Sequence, residues 1–364
     1  GGLGFITIGS YIAVLLKKKI GLKEREAIHE SVSTIELAGV VKLVRKIVMG
    51  TFAFELTGAL LLSIRFVPQY GFWRGCYMGI FHAISAFCNA GFDLMGRNEA
   101  YSSLVAYEGD ILVNLTIMAL IIIGGAGFLV WDDIHRNRLN FKKYLLHTKI
   151  VLITTGILIF GGALLFYLME KDNVLAGMNV RERILGSLFS SVTPRTAGFN
   201  SVDTAALKDS SKFLTMVLMF IGGSPGSTAG GVKVTTAVVM VLSTIAMVRG
   251  THGVNILDRR LEESAVKRAS AIVTIDLGLA VAAALIIMSA QPLKLSDALF
   301  EVFSAIGTVG MTTGITRELV PLSRIVIILL MYCGRLGSLT FTLVFARSKP
   351  EPPVKQPVEK IVVG

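Results

Sequence analysis

Six apolar runs recur along the chain, at 47–64, 111–131, 150–169, 213–232, 269–293 and 325–346. Each approaches the ~20 residues that a helix needs to cross the hydrocarbon core of a bilayer. The opening segment, already apolar from Gly1, brings the expected number of crossings to about seven. Three shorter apolar stretches, at 77–88, 184–192 and 295–306, do not reach across. Each lies between two full runs and ends in a glycine-bearing turn, the pattern of a helix that enters the membrane and returns.

These turns repeat. Aligned on Gly91, Gly198 and Gly310, the sequences read SAFCNAGFDL, SSVTPRTAGFNS and SAIGTVGMTT. Asn89, Thr196 and Thr308 stand two residues before the glycine, Ala90, Ala197 and Val309 one before, and Phe92, Phe199 and Met311 one after. The glycines are 107 and 112 residues apart, enough for a span, a linker, a second span and a short returning helix. A second glycine cluster follows each turn: Gly124-Gly125-Ala126-Gly127, Gly222-Gly223 and Gly334-Arg335-Leu336-Gly337. The glycines of these second clusters read largely as packing devices between helices. The opening Gly1-Gly2-Leu3-Gly4-Phe5 matches Gly124 to Phe128, so it reads as the second span of a first repeat whose own first span and turn are missing.

The expected fold is therefore an all-α membrane protein, a pseudo-fourfold repeat of span, re-entrant pore helix and span around a central ion pore, with the first repeat incomplete. Residues 1–46 hold the second span of repeat 1 and a cytoplasmic linker; 47–146 form repeat 2; 147–267 form repeat 3; 268–346 form repeat 4; and 347–364 form a cytoplasmic tail.

Composition agrees with a bilayer as solvent: 53% of the 364 residues are hydrophobic, 17% are charged, and the mean hydropathy is +0.67. A net charge of +11 could point to nucleic acid, but the basic residues are dispersed between apolar runs. If each short stretch returns to the face it left, 22 of the 36 lysines and arginines fall on one side and mark it as cytoplasmic. Cys76, Cys88 and Cys333 lack metal or redox spacing, and none of the five histidines is given a role.

A dehydrating cation needs oxygens in place of its water shell, and backbone carbonyls supply them only where several chain segments converge on one axis. Glycine allows that approach and the φ values it requires. The twelve residues Asn89 to Phe92, Thr196 to Phe199 and Thr308 to Met311, comprising Ala90, Gly91, Ala197, Gly198, Val309 and Gly310 with their flanks, are thus the candidate selectivity filter. Thr308-Val309-Gly310-Met311 resembles the TVGYG filter of potassium channels.

These filters, the segment GGSPGSTAGGVKVTT, CGRLGS and the ending PEPPVKQPVEKIVVG resemble the KtrB and TrkH superfamily of potassium-translocating subunits, the ending its KtrB branch in particular. The resemblance covers essentially the whole chain. It implies four repeats around one pore, K⁺ held by filter carbonyls only, no tightly bound cofactor, Na⁺ as a candidate modulator, a homodimer, and a cytosolic nucleotide-binding KtrA-like subunit that gates the channel. It also places a gating loop in the third repeat's second span, matched here by Gly222, Gly223, Ser224, Pro225, Gly226, Ser227, Thr228, Ala229, Gly230 and Gly231. Five glycines and a proline would break that helix on physical grounds alone.

Four charges interrupt spans: Glu55, Lys233, Asp276 and Arg335. Each costs roughly 2.5 to 3.5 kcal/mol at the bilayer centre and so calls for a partner or water. Arg335 matches the arginine that the family places beneath the filter, and Lys233 is grouped with it and the loop as the gate. Glu55 and Asp276 read as structural partners at helix interfaces, and Arg195 as a charge at the outer mouth or a solvated rim.

An enzyme is disfavoured. Gly222-Gly-Ser224-Pro-Gly226 fits GxSxG by pattern, but a nucleophile elbow needs a strand before it, a helix after it and acid and histidine partners later, and only His252 follows, in a basic linker. The stronger rival is a Na⁺- or H⁺-coupled secondary transporter with broken helices. That class calls for inverted repeats and acidic site residues, whereas these repeats run in one sense and Asp93 is the one acid near a turn.

Overall fold

The computed structural model describes residues 40–97, 100–138, 140–251, 253–257, 259–337 and 359. The opening segment, the first linker and nearly all of the tail, to which the sequence assigns part of a first repeat and a cytoplasmic end, lie outside the described residues.

Among the described residues, three helices are long and apolar enough to cross a membrane. These are α1 (Val40–Tyr70), from Val44 onward, then α5 (Leu146–Glu170) and α9 (Glu263–Ala290). Each leads into a short helix: α2 (Phe72–Phe87), α6 (Val180–Val192) and α10 (Leu295–Ile306). Gly71, at φ 83°, turns α1 directly into α2. Gly75 and Gly79, one helical turn apart, then bring α2 against α1, where a Cβ on Gly75 would lie 2.5 Å from the Val67 Cα. A capping box of Asn179 and Glu182 starts α6, each side chain bonded to the other residue's backbone N–H.

The second spans are where the expected spans need correction. The run 111–131 is two helices, α3 (Ile111–Ala126) and α4 (Phe128–Asn137), bent by 95°. Gly127, at φ 95°, makes the corner, a conformation most side chains resist. The run 213–232 stops short of the whole span. It becomes α7 (Asp209–Phe220), a loop and the short apolar helix α8 (Val234–Val248), so the second apolar helix lies beyond the expected run. Of the last run, helix α11 (Pro321–Leu336) and Gly337, at φ 89°, are seen, and 338–346 lie outside the described residues. The glycine clusters therefore both pack and interrupt. A Cβ on Gly124 would overlap the Phe87 carbonyl oxygen that ends α2, and one on Gly334 would overlap the Ile306 oxygen that ends α10.

Helices close in sequence pack in triplets. α1, α2 and α3 pack together around Leu62, Phe66, Phe87 and Ile117, and α9, α10 and α11 around Ala284, Ile287, Ile306 and Leu330. Helix α5 contacts α6, α7 and α8, while α7 reaches across to α10. The Lys212–Asp297 ion pair at 2.9 Å, with both side chains largely buried, joins those last two. A two-stranded hairpin, β1 (Asn255–Ile256) and β2 (Arg259–Arg260), sits in the basic linker before α9.

Candidate functional site

The three glycine turns share one backbone form. Each short helix ends, and the residue two before the glycine turns to positive φ: 49° at Asn89, 73° at Thr196 and 53° at Thr308. The glycine itself follows at 70°, 91° and 87°. Non-glycine residues rarely adopt such φ values, and here three do so at one register. The backbone N–H of Ala90 donates to Ser85 and that of Val309 to Ser304, both at 2.8 Å, while Gly198 donates to Thr193 at 3.3 Å. Hydroxyls tie the chain back to its own helix: Ser85 Oγ donates to the Phe92 carbonyl at 2.7 Å and Thr193 Oγ1 to the Phe199 carbonyl at 2.6 Å.

The turns meet in chain order. A Cβ on Gly91 would overlap the Ala197 carbonyl oxygen and lie 3.1 Å from the Gly198 Cα; one on Gly198 would overlap the Val309 oxygen and come within 3.6 Å of Gly310. The three segments thus form an arc of touching backbones with no room for a side chain between them. Ala197 and Phe199 in its middle are fully buried, whereas Phe92 at one end is 69% exposed.

The loop between α7 and α8 lies against this arc. Its two ends are pinned together by a parallel bridge of Ile221 with Val232, and Ser224 N–H and Thr228 N–H donate to the carbonyls of Gly125 and Gly124, at 2.9 and 3.2 Å. The residue two before each glycine meets it. Thr228 Oγ1 donates towards Asn89 Oδ1 and the Phe87 carbonyl, at 3.0 and 3.1 Å. A Cβ on Gly222 would lie 3.2 Å from Thr196 Cγ2, and one on Gly230 would overlap the Thr308 hydroxyl.

Charge gathers behind the loop. Arg335 Nη1 donates to the Thr228 carbonyl at 3.0 Å, and Lys233 Nζ to the Ala229 carbonyl at 2.8 Å. Asp276, buried on α9, is within electrostatic reach of Lys233, as is Arg335. The residues named for the gate therefore come together, and Asp276 joins them, which its position in the sequence could not reveal. Glu55 instead faces Cys88, whose thiol lies 3.8 Å from its carboxylate.

Arg195 corrects the reading of a rim charge. It is only 5% exposed, its Nη2 donates to Thr155 Oγ1 at 3.1 Å, and its carbonyl accepts from Asn89 Nδ2 at 3.2 Å. The two residues that Pro194 and Arg195 add to the turn carry the guanidinium back towards α5 instead of out to solvent. Asp93 turns to its own backbone, accepting from Met95 N–H at 2.8 Å.

Outside the spans, burial raises the Glu108 carboxyl above the usual carboxylate range, and the neighbouring Glu182 adds to the effect. Burial and the Tyr70 hydroxyl likewise raise the Tyr107 phenol.

Long apolar helices, one bent apolar pair and polar backbone buried between helices define the class: a helical membrane protein. Comparison with known proteins narrows it. A family model described as TrkH, cation transport protein, matches residues 1–356. The potassium/sodium uptake protein NtpJ of Enterococcus hirae is 39% identical over all of this chain and 81% of its own length. The Ktr system potassium uptake protein B of Bacillus subtilis is also 39% identical, with the same coverage. Among solved structures, the potassium transporter TrkH of Vibrio parahaemolyticus shares the fold, with a TM-score of 0.68 over 95% of this chain and 69% of that one, at 16% identity. The chain belongs to the TrkH family of cation transport proteins.

Proposed function

We propose that the protein carries K⁺ into a bacterial cell through a channel-like pore, with one glycine-centred filter segment per repeat and the loop 222–231 as its gate. The observation that carries this reading is the contact order of the turns, Gly91 on Ala197 and Gly198, then Gly198 on Val309 and Gly310. Backbones that touch in sequence order around an arc have their carbonyls available to replace an ion's water. The loop contacts all three turns at one register, which suits an obstruction on the conduction path.

Partners follow from the family. Relatives are named as members of a Ktr system, and the gate would be driven by a KtrA-like cytosolic nucleotide-binding subunit acting on a homodimer. The linkers rich in lysine and arginine would face the cytoplasm. Relatives named for potassium alone and for potassium with sodium make Na⁺ the candidate for a second cargo or modulator.

The breaks at Gly127 and at 221–233 also suit a secondary transporter. The test for both is ion flux by the complete protein in liposomes, with K⁺ or Na⁺ outside and no driving gradient of the other ion. Downhill K⁺ flux that needs no Na⁺ or H⁺ gradient supports the pore; a strict requirement for a coupled gradient overturns it.

A further inference from the structure

His82 and Glu301 stand at the same register, each nine residues before the filter glycine of its own short helix. Both are buried, Glu301 at 6% exposure and His82 at 0%. A titratable side chain this deep in a helix that packs among apolar neighbours needs hydrogen bonds to offset its desolvation. In both cases at least one partner lies on the chain just past the filter glycine.

Leu94 N–H donates to His82 Nε2 at 3.3 Å, which assigns the proton to Nδ1, where it meets the Met78 carbonyl at 2.7 Å. The imidazole also lies against Phe199 of the next segment, with ring centroids 6.5 Å apart. Glu301 accepts from Thr312 Oγ1 at 2.9 Å, and the Thr316 hydroxyl lies against its other oxygen. Leu94 is three residues past Gly91, and Thr312 two past Gly310.

The remaining segment has no such side chain. Once the two added residues of its turn are allowed for, Ser187 occupies the matching place in α6, but it donates back to Arg183 of its own helix at 2.7 Å. Its outgoing chain is held by its neighbours instead. Asn200 N–H donates to Ser103 Oγ at 3.1 Å, Leu104 N–H to the Asn200 carbonyl at 2.9 Å, and Thr204 Oγ1 to the Thr312 carbonyl at 2.7 Å. Hydrogen bonds therefore link the chains that leave the three turns, anchored by His82 at the first and Glu301 at the last.

We propose that His82 and Glu301 are equivalent positioning residues, each fixing the chain beyond its filter glycine and so setting how well the pore holds K⁺ against Na⁺. This rests on the filter reading. A filter that replaces a hydration shell discriminates through the spacing and field of its carbonyls, and residues that fix the exit of each segment fix that spacing. Neither side chain needs to touch the ion.

The test compares K⁺ and Na⁺ uptake by the complete protein in liposomes. Glu301→Met removes the acceptor and is expected to lower the K⁺-to-Na⁺ flux ratio about fivefold and to raise the KM for K⁺, the scale of one lost hydrogen bond. Glu301→Gln keeps an acceptor for Thr312 and should restore the ratio to within about twofold of wild type. His82→Leu and His82→Gln should behave as the same pair. Should Glu301→Met fail to assemble, Thr312→Val carries the test with the smaller change and the same direction. Gly310→Ser is the reference for the filter itself. If Gly310→Ser lowers the ratio while Glu301→Met, or Thr312→Val in its place, leaves ratio and KM unchanged, the positioning role is wrong and the filter stands. If Gly310→Ser changes nothing either, the filter reading falls and this one with it. Equal loss in the Gln and Met variants also overturns it, since bulk in the helix and not the hydrogen bond would then be responsible.

Discussion

Arg335 donates from its guanidinium to the carbonyl of Thr228 at 3.0 Å, a bond that joins the last described helix to the loop beneath the glycine turns. A hydrogen bond from a charged donor is worth about 1.5 to 3 kcal/mol, and the exposed Arg335 makes it to a residue that is itself buried. Arg335→Gln should therefore shift the loop towards its displaced position and raise resting flux by about tenfold or more. Uptake of K⁺ by a transport-deficient strain at limiting K⁺, with the variant expressed at wild-type level, measures this. Unchanged uptake would detach Arg335 from gating.

Removing part of 222–231, for example Ser224 to Ser227, should raise flux further. The deletion takes away two anchors of the loop: the Gly226 carbonyl, which accepts from Phe128 N–H at 2.9 Å, and the Ser224 N–H, which donates to the Gly125 carbonyl at the same distance. The same uptake assay reads the effect. Flux that stays at the resting level after the deletion would show that the loop is not the obstruction.

Gly198→Ala tests the contact between turns. The added methyl would meet the Val309 carbonyl at a φ of 91°, so both the space and the backbone oppose it. We expect lost discrimination between K⁺ and Na⁺ with near-normal membrane insertion, because the collision is confined to the arc. Gly156→Ala on α5, where an added Cβ meets nothing within 4 Å, is the matched control and should transport normally.

A pH effect is expected from Glu108. Burial and the nearby Glu182 raise its carboxyl, so the ionised form is disfavoured in the folded protein. Its contribution to stability is therefore complete below the unfolded carboxyl value of about 4.3, and is lost as pH rises through the higher folded value. Glu108→Gln should leave stability unchanged in acid and increase it at neutral pH. Thermal unfolding in detergent across that range checks the sign; a variant less stable at neutral pH would contradict it.

Much of the architecture is legible in the chain. The stretch 295–306 is α10 to the residue, because Lys294 and Gly307 bound a short apolar helix, and the three glycine turns declare themselves by their common register. What stays hidden depends on distant contacts. Gly124-Gly125-Ala126-Gly127 has the same sequence whether it packs a helix or turns it, and only the neighbouring Gly226 carbonyl, which receives Phe128 N–H, shows that the chain bends there. Arg195 resembles a surface charge because nothing nearby in sequence says that Thr155 is its partner. His82 has no paired histidine to single it out, and its significance lies in matching Glu301 across two repeats of different composition.

Thr228 has one further consequence. Its hydroxyl holds Asn89 while its carbonyl holds Arg335, so a single residue is shared by the first glycine turn and the cationic brace. In the proposed pore, cargo seated above and movement below are then thermodynamically reciprocal: whatever withdraws the loop alters ion affinity by the same factor that a bound ion alters the ease of withdrawal.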